Sequence, residues 1–207
     1  MGSATVQGQL WGARAQDWAA YTEQVSLPLF GAVLDAARVT PGARLLDAGC
    51  GAGLLALLAS LRGAQVSAVD ASAALLDIAR QRIPAADVRQ GDLEALPFAD
   101  STFDAVTAVN SLFYAAHMDS AMRELVRVVR PGGRVVVTAW GPPRALPVSR
   151  RRDASSGTAH AAPAARRFPS ASRSAVATRR IGSSAEAGRA ARGTGGRGRL
   201  SLRLLQH

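Results

Sequence analysis

An acidic residue followed by three alternating glycines, at Asp47, Gly49, Gly51 and Gly53, is the pattern in this chain with the most chemical content. The apolar residues before Asp47 are typical of a buried parallel strand, and glycines allow a sharp turn and a close approach to a ligand. A helix from about Leu54 is predicted to turn its N-terminal N–H groups toward the same crevice. We therefore expect a ligand whose anionic group meets the helix and whose amino group meets Asp47.

A dinucleotide site is the first alternative, because nicotinamide and flavin sites also place a glycine-rich loop after a strand. Their fingerprint, G-x-G-x-x-G, would put the third glycine at position 54, where this chain has Leu54. Asp47 would also be unusual, since that position is normally apolar strand interior. An oxidoreductase is therefore a weaker interpretation of this loop than a site for a ligand with an amino and an anionic group. A second alternative is a purely structural strand-to-helix turn that binds no ligand.

The stretch from Leu45 to Gly53 resembles the first motif of the class I S-adenosylmethionine-dependent methyltransferases, of the UbiE or type 11 kind. The resemblance continues in Gly91-Asp92-Leu93, in the passage through Phe98, and in RVVRPGG at residues 127–133. It implies an α/β, Rossmann-like fold with a doubly wound, mainly parallel sheet. In such a sheet the cofactor lies at the carboxyl ends of the strands.

The resemblance also implies which residues hold S-adenosylmethionine. Asp47 and the loop glycines would meet the methionine end, Asp70 the ribose, and Asp92 with Leu93 the adenine. Asp70 closes a second predicted strand, where nucleotide-type folds place a ribose-binding acid, and Ser72 is better placed to cap the next helix. The expected cofactor-binding residues are Asp47, Gly49, Gly51, Gly53, Asp70, Ala71, Asp92, Leu93, Asn110 and Tyr21.

Methyl transfer to a small-molecule acceptor is the activity that the resemblance implies, with the cofactor supplying the reactive methyl group. Asn110 and Ser111 follow the fourth predicted strand and are expected to touch cofactor or acceptor. His117 is the only histidine near that mouth, so it is the candidate general base, with a solvated loop position as the alternative. We expect the single cysteine, Cys50, to pack rather than react, and we expect no metal site.

Strands and helices alternate over residues 45 to 140, which predicts five of the family's usual seven strands. We divide the chain into an N-terminal helical cap (1–40), a cofactor-binding core (41–143) and a tail (144–207). The cap carries Trp11, Trp18 and Tyr21, which suit either a lid over the cofactor or packing. Predicted strands beyond the glycine loop are Gln65 to Val69, Asp87 to Gln90, Phe103 to Val109 and Arg134 to Ala139, with helices from about Leu54, Ala73 and Asp119.

The positive charge of the chain lies in the tail. Residues up to Pro143 hold 11 arginines against 13 acidic residues, whereas residues 144–207 hold 14 arginines against two acidic ones, for a total of +10. The tail also has only nine Leu, Ile, Val and Phe residues, too few to offset chain entropy. We therefore expect a disordered tail without further strands, and strand 134–139 as an uncovered edge open to self-association.

Two explanations of this tail stay open. The coding frame could be lost near residues 144–150, since the chain lacks lysine and the Arg/Ala/Ser/Gly mixture resembles a GC-rich gene read out of frame. The protein would then be a cofactor-binding but inactive methyltransferase. Alternatively, the tail is a basic arm of a nucleic-acid-associated methyltransferase. Phe168 is its only aromatic residue, so base stacking has little support and a nucleic-acid partner is disfavoured.

The longest uninterrupted apolar run, Leu54 to Ala59, is far too short to span a bilayer, and the N-terminus has no signal-peptide pattern. We therefore expect a cytoplasmic protein without a membrane partner.

Overall fold

The computed structural model describes residues 3–140, 174–181 and 201–203. Its helices are α1 (Ala4–Gly12), α2 (Ala15–Asp17), α3 (Leu27–Ala36), α4 (Leu54–Leu61), α5 (Ala73–Arg82) and α6 (Met118–Val128), with a π-helical turn at Trp18–Thr22 and 3-10 turns at Glu23–Ser26 and Leu112–Tyr114. Its strands are β1 (Arg44–Ala48), β2 (Gln65–Asp70), β3 (Asp87–Gln90), β4 (Phe103–Val109), β5 (Val129–Trp140), β6 (Ser174–Arg180) and β7 (Ser201–Arg203).

The strands form one sheet in the order β3-β2-β1-β4-β5-β6-β7, and the first five run parallel. The strand order reverses between β1 and β4, so the chain leaves these two strands toward opposite sides. Such a switch point opens a crevice at the carboxyl ends of the strands. The predicted fold class is confirmed, and the predicted bounds of β3 and β4 match those observed.

β5 begins earlier than expected. The sequence predicts a turn at residues 131–133 before the strand, whereas the structure has strand from Val129 onward. Phe103 of β4 pairs with Val129 and Ala105 pairs with Arg134, so the register shifts within this stretch. Gly132 takes a φ of 84° there, a left-handed conformation that suits glycine.

Apolar side chains of the strands pack against helices on both faces of the sheet. Leu45 and Leu46, adjacent in β1, are fully buried in two different clusters, since successive side chains of a strand point to opposite faces. Leu45 packs with residues of α3 and α4, and Leu46 with residues of α6 such as Leu125. β1 is therefore a rigid platform that ends at Asp47 and Ala48.

The expectation that the tail adds no strand is wrong for two segments. β6 pairs antiparallel with β5 from Arg134 to Trp140, and β7 pairs antiparallel with β6. The strand edge at residues 134–139 is therefore covered. The expectation of self-association was based on an open edge there, and the structure does not show one within the described residues. Backbone groups alone can make such pairing, so an apolar-poor segment can still take part.

Other expectations for the tail, including a local helix around residues 185–192, lie outside the described residues. Within the described ranges, no helix combines the length and the apolarity that a membrane crossing requires.

Candidate functional site

A cavity lies at the carboxyl ends of β1, β2, β3 and β4, under the N-terminal helices. Eight of the ten expected cofactor-binding residues line it, and Gly53 and Tyr21 do not. Four of its lining residues are acidic, and none is Arg, Lys or His among the residues that the structure describes. The acidic residues are Glu23, Asp47, Asp70 and Asp92.

The glycine loop is tied to the end of β2 through its backbone. The N–H groups of Gly49 and Cys50 both donate to the carbonyl oxygen of Val69, at 2.7 and 3.1 Å. The N–H of Gly51 donates to Oδ2 of Asp70 at 2.9 Å. These N–H groups already donate within the protein. The loop therefore contributes to the cavity through the close approach of its backbone and not through these N–H groups.

Gly49 and Gly53 need glycine for different reasons. A Cβ at Gly49 would lie 2.3 Å from the Cβ of Ser111, and φ is 79°, so the loop crosses close to the residue after β4. Gly53 is the N-cap of α4, and a Cβ there would lie 2.9 Å from the Cβ of Ala79 in α5. The structure thus gives Gly53 a role in helix packing and does not bring it to the cavity.

Asp47 is the most deeply buried acid of the site, at 2% exposure. Its Oδ1 accepts a 3.0 Å hydrogen bond from the hydroxyl of Thr107, the residue beside it on β4, whereas no described residue donates to its Oδ2. Burial raises its pKa to about 7, with the Thr107 hydrogen bond opposing and the charges of Glu23 and Asp70 adding to the rise. Asp47 is thus a buried acceptor whose ionised form needs a cation.

Asp70 is anchored by two backbone N–H groups. Ser72 donates to Oδ1 and Gly51 to Oδ2, both at 2.9 Å. Burial raises the pKa of Asp70, and these hydrogen bonds oppose the rise. Each carboxylate oxygen can accept a further hydrogen bond, so a diol can still be held. Ser72 caps α5 by accepting from the N–H of Leu75 at 3.3 Å, which confirms the sequence prediction.

Asp92 and Leu93 follow β3 and line the next part of the cavity. Oδ1 of Asp92 accepts from the N–H of Glu94 at 2.9 Å, which closes a short turn. α6 holds the passage after this turn, because Glu124 accepts from the N–H of Leu96 and Arg127 donates to the carbonyl oxygen of Leu96. The predicted position of Asp92 at the cavity thus depends on α6 as well as on β3.

Glu23 is a site residue that the sequence prediction missed. Its Oε1 accepts from the N–H of Leu54, the first residue of α4, at 3.0 Å, and its Oε2 pairs with Arg82 at 2.5 Å. Burial raises the pKa of Glu23, and both contacts oppose the rise. We expected an anionic ligand group at this helix N-terminus. The structure instead places the protein's own carboxylate there, delivered by the N-terminal segment.

Aromatic side chains cover the cavity. Trp11 packs edge-on against both Trp18 and Tyr114, with ring centroids 4.9 and 5.5 Å apart. A Cβ at Gly51 would lie 3.2 Å from Nε1 of Trp18, so this indole covers the glycine loop. Tyr21, the preferred lid contact, is 75% exposed and is not brought to the cavity, because its side chain lies on the solvent side of the turn that presents Trp18.

Asn110 and Ser111 line the cavity after β4, as expected. Asn110 adopts a left-handed φ of 51°, and its Oδ1 accepts from the hydroxyl of Thr138 at 3.1 Å. The Ser111 hydroxyl donates to the carbonyl oxygen of Ala48 at 2.8 Å. These contacts fix the turn that leads from β4 to the cavity.

His117 does not line the cavity. Its side chain is 73% exposed, and its Nδ1 lies 3.0 Å from Oε2 of Glu94, whose Oε1 also accepts the His117 N–H. These bonds hold His117 at the N-cap of α6, outside the cavity. Cys50 is buried, and burial together with the nearby carboxylates raises the pKa of its thiol, which favours a packing role.

Comparison with known proteins finds sequence similarity to methyltransferases. Residues 46–137 match the family described as methyltransferase domain. A demethylmenaquinone methyltransferase of Renibacterium salmoninarum is 35% identical over 142 residues, 62% of this chain and 60% of that protein. An uncharacterized protein of Mycobacterium tuberculosis is 38% identical over 132 residues, 60% of this chain and 47% of that protein. The chain thus spans less than two thirds of these relatives.

Solved structures agree on the fold. A TehB-like S-adenosylmethionine-dependent methyltransferase from Corynebacterium glutamicum has a TM-score of 0.55 at 26% identity, over 62% of this chain and 73% of that chain. The cyclase SpnF has a TM-score of 0.52 at 33% identity, over 54% of this chain and 44% of that chain. Residues 46–137 are therefore similar to the methyltransferase domain family, and the described residues have the Rossmann-like class I fold.

Proposed function

We propose that this protein binds S-adenosylmethionine and transfers its sulfonium methyl group to a small-molecule acceptor. The observation that carries the proposal is the cavity with four carboxylates and no cationic side chain among its described lining residues. A ligand with a sulfonium and an ammonium group complements this charge. Two of the similar proteins described above are methyltransferases by name, and one is S-adenosylmethionine-dependent.

The residues present fit this cofactor. Oδ2 of Asp47 is the acceptor for the ammonium group, and the free lone pairs of Asp70 suit the ribose hydroxyls. Asp92 is the acceptor for the adenine amino group, with Leu93 packed on the ring. The bound cofactor supplies an electrophilic methyl group, and the chain's own part is to bind, orient and exclude water.

Exclusion of water is the task of the N-terminal helices and the turn after β4. Trp11, Trp18 and Tyr114 place apolar rings over the cavity. Water exclusion and fixed orientation bring the acceptor into line with the methyl group. We assign His117 no proton transfer, because its ring is exposed and paired with Glu94. The acceptor that this site suits best is one whose attacking atom is already unprotonated.

Titration calorimetry with S-adenosylmethionine and S-adenosylhomocysteine tests binding. We expect both to bind, and we expect Asp70→Asn to weaken binding by about tenfold or more, because a charged acceptor becomes a neutral amide. Asp77→Asn is the matched control, since Asp77 lies on α5 and pairs with Arg80 at the surface. Unchanged affinity in a folded Asp70→Asn variant would remove Asp70 from the site.

A turnover assay separates catalysis from binding alone, which matters because SpnF shares the fold and is a cyclase. Methyl transfer to any member of a panel of tertiary amines, and of phenols and thiols that are ionised at the assay pH, would support the proposal. Binding without transfer would favour the inactive, cofactor-binding alternative. Tight NADH binding without S-adenosylmethionine binding would favour an oxidoreductase instead.

A further inference from the structure

Glu23 has contacts that a merely structural surface acid would not have. Its side chain is 3% exposed, it lines the cavity, and it comes from the N-terminal segment rather than from the sheet. Arg82 holds it in place, donating also to the carbonyl oxygens of Ala52 and Ala19 at 2.9 and 3.2 Å. Arg82 thus joins α5, the glycine loop and the N-terminal turn around one carboxylate.

The position of Glu23 decides which ligand group can approach α4. An unoccupied helix N-terminus attracts an anion, but Oε1 of Glu23 already accepts the N–H of Leu54. A ligand carboxylate would meet like charge there. A ligand cation would find two carboxylates, because Asp47 lines the same cavity and its Oδ2 has no donor among the described residues.

The buried charge at this end of the cavity is not balanced by the protein. Arg82 compensates Glu23, whereas neither Asp47 nor Asp70 has an ion pair within the described part of the chain. A buried charge without a partner is unfavourable, so a cation is the group that would bind here most favourably. A Cβ at Gly51 would lie 4.0 Å from Oε1 of Glu23, so Glu23 reaches the glycine loop that follows Asp47.

We propose that Glu23 is the second carboxylate of an ammonium subsite, which it forms together with Asp47. It binds the α-amino group of the cofactor, and it turns the cofactor's carboxylate away from the N-terminus of α4. This inference rests on the proposed function, and it adds a residue of the N-terminal cap to the binding machinery.

A comparison of two ligands isolates the contact. The ligands are S-adenosylhomocysteine and its analogue in which hydrogen replaces the α-amino group. We expect the wild-type protein to bind the first more tightly. We expect Glu23→Gln to weaken binding of S-adenosylhomocysteine by about tenfold or more, and binding of the analogue by less than about threefold. Glutamine keeps an oxygen for the N–H of Leu54, so this variant removes the charge while it keeps the helix cap.

Asp17→Asn is the matched control, because Asp17 lies in the same N-terminal segment, pairs with Arg14 and is exposed. It should leave both affinities unchanged. Equal weakening of both ligands by Glu23→Gln would make Glu23 a structural residue and overturn the proposal. Equal affinity of the wild-type protein for both ligands would overturn the ammonium subsite without any variant.

The double variant Glu23→Gln/Arg82→Gln covers the case in which Glu23→Gln alone does not fold, because it leaves no half-buried arginine without its partner. The same selective loss for S-adenosylhomocysteine is expected, and an equal loss for both ligands contradicts the proposal. If the wild-type protein binds neither ligand, the proposed function itself fails and this inference fails with it.

Discussion

Asp47 illustrates at the scale of one residue how a binding site costs stability. This carboxylate is almost fully buried and has one hydroxyl donor, and its burial, with smaller contributions from two further acids, raises its pKa to about 7. The folded protein therefore keeps a proton on Asp47 at pH values at which the unfolded chain has lost it. Ionisation of Asp47 destabilises the protein until a cation binds.

The sign of the resulting pH dependence follows from linkage. Below about pH 4 the carboxyl group is protonated in both states, and between about pH 4 and 7 only the unfolded state loses the proton, so stability falls as pH rises. We expect Asp47→Asn to remove this fall, and to be more stable than the wild type at pH 8, by at most about 4 kcal/mol. Urea unfolding without ligand at pH 5 and pH 8 measures the difference.

Asp77→Asn serves as the control, since Asp77 is an exposed acid on α5 and should follow the wild-type profile. The account of Asp47 is wrong if its amide variant gains no stability over the wild type between pH 5 and pH 8. The same variant should bind S-adenosylmethionine more weakly, because the amide cannot balance an ammonium charge.

Sequence patterns find some site residues and miss others for a physical reason. Asp47, Asp70 and Asp92 each lie at or just after the carboxyl end of a strand, so the sheet brings them to one edge, and local sequence predicts them. Glu23 is recognised only through its hydrogen bond with Leu54, which is 31 residues away in the sequence. Thr107 is recognised only through its hydrogen bond with Asp47, which is 60 residues away. A polar residue inside an apolar strand was the available signal for Thr107, whereas Glu23 gave none.

At the scale of elements, α1 approaches the core through a glycine. A Cβ at Gly8 would lie 2.5 Å from the carbonyl oxygen of Ala71, at the end of β2. α1 has no buried residues, yet Gln7 and Trp11 line the cavity. The close approach at Gly8 therefore fixes how the cap lies over the site. The helical cap was predicted from the sequence, but this contact was not, because glycine carries no periodic signal.

We expect Gly8→Ala to displace α1, to change the fluorescence of Trp11 and Trp18, and to weaken binding of S-adenosylhomocysteine. Gly31→Ala is the matched control, because a Cβ at this helical glycine of α3 meets nothing within 4 Å. Alanine there should stabilise the protein by up to about 1 kcal/mol. Unchanged fluorescence and affinity in Gly8→Ala would mean that α1 does not cover the site.

At the scale of the whole molecule, the first five strands were predictable and the last two were not. Parallel strands buried on both faces are apolar runs, which the sequence shows most plainly for β1 and β4, whereas the edge strand β3 is polar and largely exposed. β6 and β7 come from an arginine-rich tail, whose composition predicts disorder. To join a sheet, an added strand mainly requires unpaired backbone groups on the neighbouring strand, and β5 supplies them. This requirement leaves no signal in the composition of the added strand.

Amide hydrogen exchange tests this correction. We expect residues 174–180 to exchange slowly, because their backbone groups pair with β5 on one side and partly with β7 on the other. β4, paired on both sides, is the internal reference for slow exchange. Exchange of residues 174–180 at the rate of an unstructured chain would restore the open edge at β5, and concentration-dependent association would then be expected.

The central claim is that the cavity at the ends of β1, β2 and β3 binds an S-adenosylmethionine-type ligand. Amide chemical shifts of the ¹⁵N-labelled protein, recorded during titration with S-adenosylhomocysteine, test it most directly. We predict that the largest shifts arise at Gly49, Gly51 and Gly91 and at the amides of Asp70 and Asp92, with little change at Gly42, which lies before β1. An absence of shifts, or shifts that cluster away from these residues, would contradict the account.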